Sequence, residues 1–438
     1  MEFTIRQLRL SLFYLFIFLL PWQTRWIIRN PAWGGDVWEY SRISLYSWDI
    51  LLGVLVLVSL PLIWREIKNF YPTGGHQQSE RFKIFSDPFF IYLLLLLYTL
   101  TSISWSPDKT LALVWSLRLL AGGTLWLLVR ALKPKLSVIG WMLAVAGTLQ
   151  AGWGIGQFVT QSTWANKWLG VAIHSVGQPG SSVALTQAGI WLRAYAGQVH
   201  PNVLGGLLVI TSLATVWLYL TNKSQIRKSI NSYPLLLLYI VQLIGLFFSF
   251  SRGAWLALAV SLAIWWWREY GSRRVLRPIF GLAVVVFVVL GVMLWQPTAG
   301  RLFGGTRLEQ QSIEERVGSV GESQGLLTSA WWRGVGLGNY TVALQQTVPG
   351  LRSWSYQPVH NIFLLILTEL GIIGLGLFLW LLWFRLRPMA NRNSLLLVPI
   401  LITGLFDHYW WTIPSMFMLF WLLLVIAELG AREPQAGA

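Results

Sequence analysis

The chain has 438 residues, of which 55% are hydrophobic and only 11% are charged, and it contains no cysteine. A soluble domain usually carries about 25% charged residues, so the composition excludes a soluble globular protein, and the missing cysteines exclude disulfides and thiolate metal sites. The net charge of +16 is scattered over short loops, where it serves to orient membrane helices, so we expect no nucleic-acid partner.

Apolar stretches near the roughly 20 residues that cross a bilayer recur along the whole chain. We therefore predict an all-α polytopic membrane protein in which residues 1–438 form a single transmembrane domain. About twelve membrane spans are predicted by this criterion, at residues 7–21, 46–64, 88–104, 111–129, 136–158, 201–220, 234–250, 252–268, 278–296, 360–384, 394–407 and 412–429. Only Ser251 separates the seventh and eighth spans, so we expect them to form a tight hairpin or a broken pair.

The first span is expected to be an uncleaved helix, because no small-residue cleavage site follows it. Arginine and lysine are concentrated in alternate connecting segments, which places both the N-terminus and the C-terminus in the cytoplasm. Tryptophans flank many of the spans, a placement typical of the interfacial belts of membrane proteins; examples are Trp48, Trp265, Trp410 and Trp411.

The two longest segments on the outer side are residues 159–200 and 297–358. The second lies between the ninth and tenth spans, and within it Ser312 to Leu327 has the pattern of a surface helix. A stretch of alternating glycines follows, from Gly334 to Tyr340. Loops longer than about 15 residues are usually functional or disordered, and the interspersed apolar residues favour order. We predict that residues 297–358 form a cap over a site on the outer face.

With the N-terminus inside, the sixth, eighth and tenth spans begin at the outer face. The free backbone N–H groups and the positive dipole end of a helix start favour anions. The unusual polar residues of the chain stand at these three starts. Pro201 occupies a favoured first helical position between His200 and Asn202, Ser251 is expected to be an N-cap, and His360 opens the tenth span.

Arg252 lies between apolar stretches, with no acidic residue nearby in the sequence. An arginine near membrane depth normally needs a partner, and its planar fork suits phosphate oxygens. The alternative is an interfacial side chain that reaches back to water. Arg193 lies a few residues before the sixth span, and taken alone it fits a solvated loop charge better than a ligand.

Each histidine and carboxylate candidate can be interpreted as a functional or as a structural residue. His360 taken alone is more often a hydrogen-bonded residue at a helix end than a catalyst, and Asn361 fits a capping residue. Glu369 lies inside the tenth span, where a carboxylate is a functional candidate by default, although a protonated structural role is equally compatible. Asp407 and His408 end the eleventh span on the same outer side, either as an acid–base group or as a structural pair.

Several metal-binding and phosphate-binding patterns are missing from the sequence. There is no Asp-x-Asp pair, no His-Glu-x-x-His, no phosphate-binding glycine loop and no Gly-x-Ser-x-Gly turn. We therefore expect no metal and no cofactor. A metal-free site would use arginines and helix starts to neutralise a phosphate leaving group, which is electrostatic stabilisation of developing charge.

Four stretches together resemble the O-antigen ligase and polymerase superfamily of bacterial membrane glycosyltransferases. The stretch Ser251-Arg252-Gly253-Ala254-Trp255-Leu256 resembles its Arg-x-x-x-Leu motif. His360-Asn361, followed by Gly371 and Gly374, resembles its His-[Asn/Ser/Gln]-x9-Gly-x-x-[Gly/Thr/Tyr] motif. Arg193 with His200-Pro201-Asn202 is similar to the third arginine region of the family, and Gly334 to Tyr340 is similar to a segment late in its large periplasmic loop. The resemblance covers about residues 190–410.

The resemblance implies a GT-C type fold in the bacterial inner (cytoplasmic) membrane, with the active site facing the periplasm or exterior. It implies an inverting, metal-independent transfer of a glycan from undecaprenyl pyrophosphate to an acceptor such as a lipid A-core sugar. The residues that match those needed for activity are Arg193, Arg252 and His360. These three and Asn361 are expected to bind the donor pyrophosphate, and His360 is our first choice of general base. Secondary candidates are His200, Asn202, Ser251, Glu369, Asp407, His408 and Tyr340.

We favour the ligase-type interpretation because the pattern after His360 fits it fully. A polysaccharide polymerase or a protein O-oligosaccharyltransferase would use the same donor, so the motifs leave both open. An anion transporter would also place arginines at outer helix starts, but the chain lacks the internal repeat typical of secondary transporters. The expected partners are a lipid-linked glycan donor, a glycan or lipid A-core type acceptor, and membrane lipids.

Overall fold

The computed structural model describes residues 4–70, 87–186, 189–221, 233–303, 307–386 and 392–429. The apolar stretches form α-helices, because a backbone inside a bilayer has to satisfy its own hydrogen bonds. In chain order these are α1 (Ile5–Leu19), α2 (Ser47–Phe70), α3 (Pro88–Ser102), α4 (Lys109–Leu132), α5 (Leu136–Thr160), α6 (Pro201–Thr221), α7 (Tyr233–Phe248), α8 (Arg252–Arg268), α9 (Arg273–Met293), α10 (Trp295–Phe303), α11 (Arg307–Ala330), α12 (Tyr340–Thr347), α13 (Ile362–Leu386), α14 (Val398–Gly404), α15 (Tyr409–Thr412) and α16 (Pro414–Leu429). Short 3-10 helices cover Glu39–Ser41, Tyr270–Ser272, Ser353–Ser355 and Arg392–Leu397.

Each predicted span overlaps one of these helices, which is consistent with an all-α membrane protein. Among the described residues, six helices are long and apolar enough to cross a membrane, namely α2, α4, α5, α6, α9 and α13. Shorter apolar helices are α3, α7, α16 and the stretch Arg392–Gly404, which ends with α14. The total of about twelve spans stays a prediction. The eleventh predicted span is the most altered, because the 3-10 helix Arg392–Leu397 precedes the short α14.

Short β-strands, which the sequence patterns did not predict, occupy two of the connections. In the first, β1 (Arg25–Arg29) pairs with β4 (Ile43–Tyr46), and β2 (Ala32–Trp33) pairs with β3 (Asp36–Val37). In the second, β5 (Val183–Thr186) pairs with β6 (Gly189–Leu192). All three pairings are antiparallel, and each sheet has two strands. The strands shape the connections before α2 and before α6.

The start of α6 lies at the centre of the helix packing, and nearly all of its length is buried. A Cβ at Gly205 would lie 2.8 Å from the Cβ of Ser251 and 2.9 Å from that of Ala254. A Cβ at Gly206 would lie 2.2 Å from the hydroxyl oxygen of Tyr409. Because these two glycines lack a side chain, the starts of α6, α8 and α15 approach one another closely.

Helix α13 is broken at Gly371, the glycine that follows the His-Asn pair in the sequence pattern. Gly371 has φ 65° and ψ −172°, a conformation outside the helical region that is essentially restricted to glycine. A Cβ there would also lie 2.3 Å from the backbone carbon of Trp332. The glycine is therefore required by both the backbone conformation and the close approach of another segment.

The stretch that precedes α12 fills this break. Val335 N–H donates to the carbonyl of Thr368 at 3.0 Å, and Gly336 N–H donates to that of Glu369 at 2.8 Å. In return, Ile372 N–H donates to the carbonyl of Trp331 at 3.0 Å. The break exposes backbone groups that the inserted stretch satisfies, so two separate sequence patterns form one structural unit.

Several tryptophans that we assigned to interfacial belts lie in the core instead. Trp48 and Trp410 are fully buried, and Trp265 and Trp411 are almost so. Trp410 Nε1 donates to Thr403 Oγ1 at 2.7 Å, and buried tryptophans usually find such a partner. The belt assignment was wrong for these residues, because flanking an apolar run in the sequence does not distinguish a helix interface from a membrane interface.

A buried ion network joins four helix ends at the far end of α13. Glu428 accepts hydrogen bonds from Arg130 Nη2 at 2.8 Å and from Arg385 Nη2 at 2.9 Å. Trp126 Nε1 donates to the same carboxylate at 2.8 Å, and Arg130 also pairs with Asp87 at 3.0 Å. Every charge in this network has an opposite charge beside it, as buried charges require.

We predict that Gly371→Ala lowers the melting temperature of the detergent-solubilised protein strongly. The strained backbone alone costs on the order of 1–3 kcal/mol, and the Cβ adds the clash with Trp332. Gly376→Ala is the matched control in the same helix, because a Cβ there meets nothing within 4 Å. Equal melting temperatures for the two variants would contradict the assignment of Gly371 as an obligatory helix break.

Candidate active site

A cavity of about 800 Å³ opens at the end of the molecule where α6 and α13 begin. Its walls come from these helix starts, the loop before α15, the segment 297–358 and the connections that precede α2 and α6. Most of the predicted site residues line it: Arg193, His200, Asn202, Tyr340, His360, Glu369, Asp407 and His408. The structure thus brings together residues that are far apart in the sequence.

A smaller cavity of about 270 Å³ adjoins the larger one and contains the other arginine candidate. Ser251 and Arg252 line it together with the apolar side chains of Leu256 and Phe406. The two cavities meet at shared lining residues, which are Asn202, Arg301, Arg316, Asp407 and Tyr409. Asn361, by contrast, lies outside the lining of both cavities.

Asn202 links a cationic and an anionic group of the larger cavity. Arg193 Nη2 donates to Asn202 Oδ1 at 2.6 Å, and Asn202 Nδ2 donates to Asp407 Oδ2 at 2.9 Å. Arg193 is only 5% exposed, and its Nε donates to the carbonyl of Ser249 at 2.8 Å. Arg193 is therefore a fixed cation inside the site, not a solvated loop charge.

The turn between α7 and α8 is as tight as the sequence predicted, and it presents Arg252. Phe250 in this turn has a left-handed φ of 47°. Ser251 occupies the N-cap position of α8, but its side chain makes no capping hydrogen bond, contrary to our expectation. Arg252 Nη1 donates to the carbonyl of Arg301 at 2.9 Å. The guanidinium is therefore tied to α10 at Arg301, a residue of the segment 297–358.

Asn361 is the N-cap of α13. Its Oδ1 accepts from the backbone N–H groups of Phe363 at 2.9 Å and Leu364 at 3.0 Å. Its Nδ2 donates to the carbonyl of Leu405 at 3.3 Å. These bonds satisfy N–H groups that a helix start leaves free. The capping role fixes the orientation of the preceding His360, while the part of Asn361 in donor binding stays a prediction.

His360 presents to the larger cavity an imidazole that makes no hydrogen bond to the described residues. Its Nδ1 is buried without a hydrogen bond, and its ring centroid lies 5.2 Å from that of His408. Burial lowers the pKa of His360, and the carboxylate of Asp407 opposes this only in part. The imidazole is therefore neutral near pH 7 and able to accept a proton.

Asp407 is the anionic centre of the group. Burial raises its pKa, but His408, His360, His200 and the hydrogen bond from Asn202 together outweigh burial, so the net pKa is lowered. Burial also lowers the pKa of His408 to about 4. His408 Nδ1 lies 2.7 Å from Thr412 Oγ1. The cluster therefore combines one carboxylate with neutral imidazoles.

His200 is held on both ring nitrogens. Its Nδ1 accepts from the backbone N–H of Asn202 at 3.1 Å, so its Nε2 carries the proton and faces Ser182 Oγ at 2.8 Å. Burial lowers the pKa of His200, and the nearby Arg193 lowers it further. A neutral imidazole with both nitrogens engaged orders the cavity wall and leaves no free nitrogen for a substrate proton.

Glu369 and Tyr340 line the cavity but are tied to neighbouring elements. Glu369 is only 2% exposed, and its Oε2 accepts from Trp411 Nε1 at 2.9 Å. The Tyr340 hydroxyl lies 3.0 Å from Ser323 Oγ and donates to the carbonyl of Ser319 at 3.3 Å. Tyr340 thereby fastens α11 to the start of α12, beside the cavity.

The structure adds residues to the site that no sequence pattern singled out. Arg301 on α10 and Arg316 on α11 line both cavities, and the ring of Tyr40 lies 5.7 Å from that of His408. Only the position of the two arginines in the segment 297–358 pointed to them. Within the part of the chain that the structure describes, no three His, Asp or Glu side chains are grouped so as to hold a metal ion.

The fold and the cavities indicate the class of the protein. It is a membrane protein in which arginines, histidines and a carboxylate lie together where several helices begin. Residues 235–379 match the family described as O-Antigen ligase. This confirms the resemblance to the O-antigen ligase superfamily and supports a membrane glycosyltransferase of the ligase and polymerase type. The matched region includes Arg252 and His360, while Arg193 and Asp407 lie outside it. No curated protein matches the chain.

We predict that Asn202→Ala destabilises the detergent-solubilised protein by about 1.5–3 kcal/mol, the usual cost of losing a hydrogen bond to a charged group. The variant removes the bonds to both Arg193 and Asp407. Asn30→Ala is the control, because the Asn30 bond to Arg42 Nε is exposed and its loss should change stability by less than about 0.5 kcal/mol. Chemical denaturation of both variants measures the difference, and equal losses would contradict the linking role of Asn202.

Proposed function

We propose that the protein is a glycosyltransferase of the O-antigen ligase type. It transfers a glycan from undecaprenyl pyrophosphate to an acceptor hydroxyl, as on a lipid A-core sugar, at the outer face of the bacterial inner membrane. The observation that carries the proposal is the pair of joined cavities, where Arg193, Arg252 and His360 come together from distant parts of the chain. The GT-C type fold, the cytoplasmic termini and the capping role of residues 297–358 belong to the same proposal.

Together the two cavities offer both apolar and polar surface, as a lipid-linked sugar requires. Leu256 and Phe406, each 47% exposed, line the smaller cavity and suit the apolar lipid chain. The larger cavity has polar and charged side chains among a mixed lining and has room for sugars. Arg193 and Arg252 hold the pyrophosphate between them, because a planar guanidinium matches two phosphate oxygens at once.

The reaction is a single displacement at the anomeric carbon. The acceptor oxygen forms a bond to that carbon as the bond from the carbon to the pyrophosphate oxygen breaks. The electron pair of the broken bond leaves with the lipid pyrophosphate, and the acceptor proton passes to a base. Arginines that face the leaving group stabilise the charge that develops there. Attack opposite to the leaving group inverts the configuration.

His360 is the base in this proposal. A base needs a free lone pair within reach of the acceptor, and the imidazole of His360 makes no hydrogen bond to any described residue. His200 is engaged on both nitrogens, and His408 is engaged by Thr412. Asp407 stabilises the imidazolium that forms when His360 takes the proton, because its carboxylate raises the pKa of His360.

We predict that Arg193→Ala, Arg252→Ala and His360→Ala each lose at least about 100-fold in glycan transfer, as expected for groups acting on charge or protons in the transition state. Transfer is measured in detergent with undecaprenyl-pyrophosphate glycan and EDTA. Arg274→Ala is the control, because Arg274 is exposed and lines neither cavity.

Normal transfer by all three site variants would place the reaction elsewhere in the molecule. Growth of a glycan ladder without a separate acceptor would identify a polymerase instead of a ligase. Saturable anion flux through proteoliposomes, with no transfer, would identify a transporter.

We predict an acid limb in the pH profile of transfer below pH 6.5, the ordinary pKa of histidine. Burial lowers the pKa of His360 from 6.5, so the neutral, active form persists until the pH falls below that value. Rates measured from about pH 4 to about pH 8 locate the limb. An acid limb that persists unchanged in the residual activity of His360→Ala would show that another group accepts the proton.

A further inference from the structure

We propose that Arg316 on α11 is a further ligand of the donor pyrophosphate, and that Arg301 is a positioning residue that holds Arg252 beside it. The inference rests on the proposed function and adds the segment 297–358 to the binding site. Neither arginine belongs to a motif that resembles the family. The case depends on where the two side chains lie and on what they contact.

The two arginines stand where the cavities join. Arg193 lines only the larger cavity and Arg252 only the smaller, whereas Arg301 and Arg316 line both. In a lipid-linked sugar the pyrophosphate is the joint between the apolar chain and the glycan. If the chain lies in the smaller cavity and the glycan in the larger, the pyrophosphate lies at the junction. Arg316 at that junction therefore lies close to the pyrophosphate that Arg193 and Arg252 approach from either side.

Arg316 reaches the junction with its Nε unpaired among the described residues. Its Nε is buried and makes no hydrogen bond, and its guanidinium forms no ion pair with any carboxylate of the described residues. The arginines at the other end of α13 contrast with it, because Arg130 and Arg385 both pair with Glu428. A buried N–H group normally has an acceptor beside it, and a phosphate oxygen would supply one for Arg316 Nε.

Arg301 holds neighbouring residues in place through hydrogen bonds. Its Nε and Nη2 donate to the carbonyl of Phe250 at 3.3 and 3.1 Å, in the turn that leads into α8. Its own carbonyl accepts from Arg252 Nη1 at 2.9 Å. The two arginines are thus locked together through backbone groups, which fixes the direction of the Arg252 guanidinium.

The test compares Arg316→Ala and Arg316→Lys with Arg307→Ala. Arg307 is carried by the same helix but is exposed and lines neither cavity. Binding of undecaprenyl pyrophosphate and of undecaprenyl phosphate is measured separately from glycan transfer. We expect Arg316→Ala to weaken pyrophosphate binding by at least about tenfold and to weaken monophosphate binding less. Arg316→Lys should recover part of the affinity, and Arg307→Ala should match the wild type.

The pH profile of glycan transfer also reports on the charge of residue 316. The Arg316 charge lowers the pKa of His360, on which Glu315, Asp407 and burial also act. Arg316→Ala should therefore move the acid limb of transfer to higher pH, and Arg307→Ala should leave it in place. If Arg316→Ala does not fold, Arg316→Gln removes the charge with less change in shape and carries the same expectations.

The outcomes separate this inference from the proposed function. Unchanged pyrophosphate binding in Arg316→Ala, while Arg252→Ala loses both binding and transfer, would overturn the role of Arg316 and leave the glycosyltransferase intact. Arg316-dependent binding of undecaprenyl pyrophosphate by a wild-type protein that transfers no glycan would support the binding site and overturn the proposed reaction.

Discussion

A helix that crosses a membrane has to pair its backbone N–H and carbonyl groups inside the protein, yet α13 is interrupted at Gly371. The structure meets this constraint with the stretch from Trp331 to Gly336, whose backbone exchanges hydrogen bonds with both sides of the break. The first half of α13 carries Glu369 and follows directly on His360. The position of the imidazole therefore depends on the seating of a distant stretch of chain in the break.

Electrostatics differs sharply between the two ends of α13. At one end Arg130, Arg385, Asp87 and Glu428 neutralise one another in a closed network. At the other, arginines line the cavities, and Asn202 hydrogen-bonds both Arg193 and the carboxylate of Asp407. The first arrangement is complete by itself and holds helices together. The second places several arginines around a space large enough for a substrate, as a site for an anion requires.

The helices and many of the site residues could be predicted because each has a recognisable pattern in the local sequence. A long apolar run shows a helix, and the polar residues at the starts of α6, α8 and α13 interrupt such runs. Arg316 and Arg301 left no such mark, because an arginine in a polar segment looks the same whether it faces water or a cavity. The burial of Trp410 and the break at Gly371 likewise depend on which distant segment packs there, and one sequence does not record that.

The filling of the α13 break by residues 331–336 also sets an order of assembly. Residues 331–336 precede α13 in the chain, so they are synthesised before the helix against which they pack. Once α13 is inserted, its two halves cannot settle until that stretch docks between them. We therefore expect His360 and the stretch 331–336 to become ordered together, in a late step of folding.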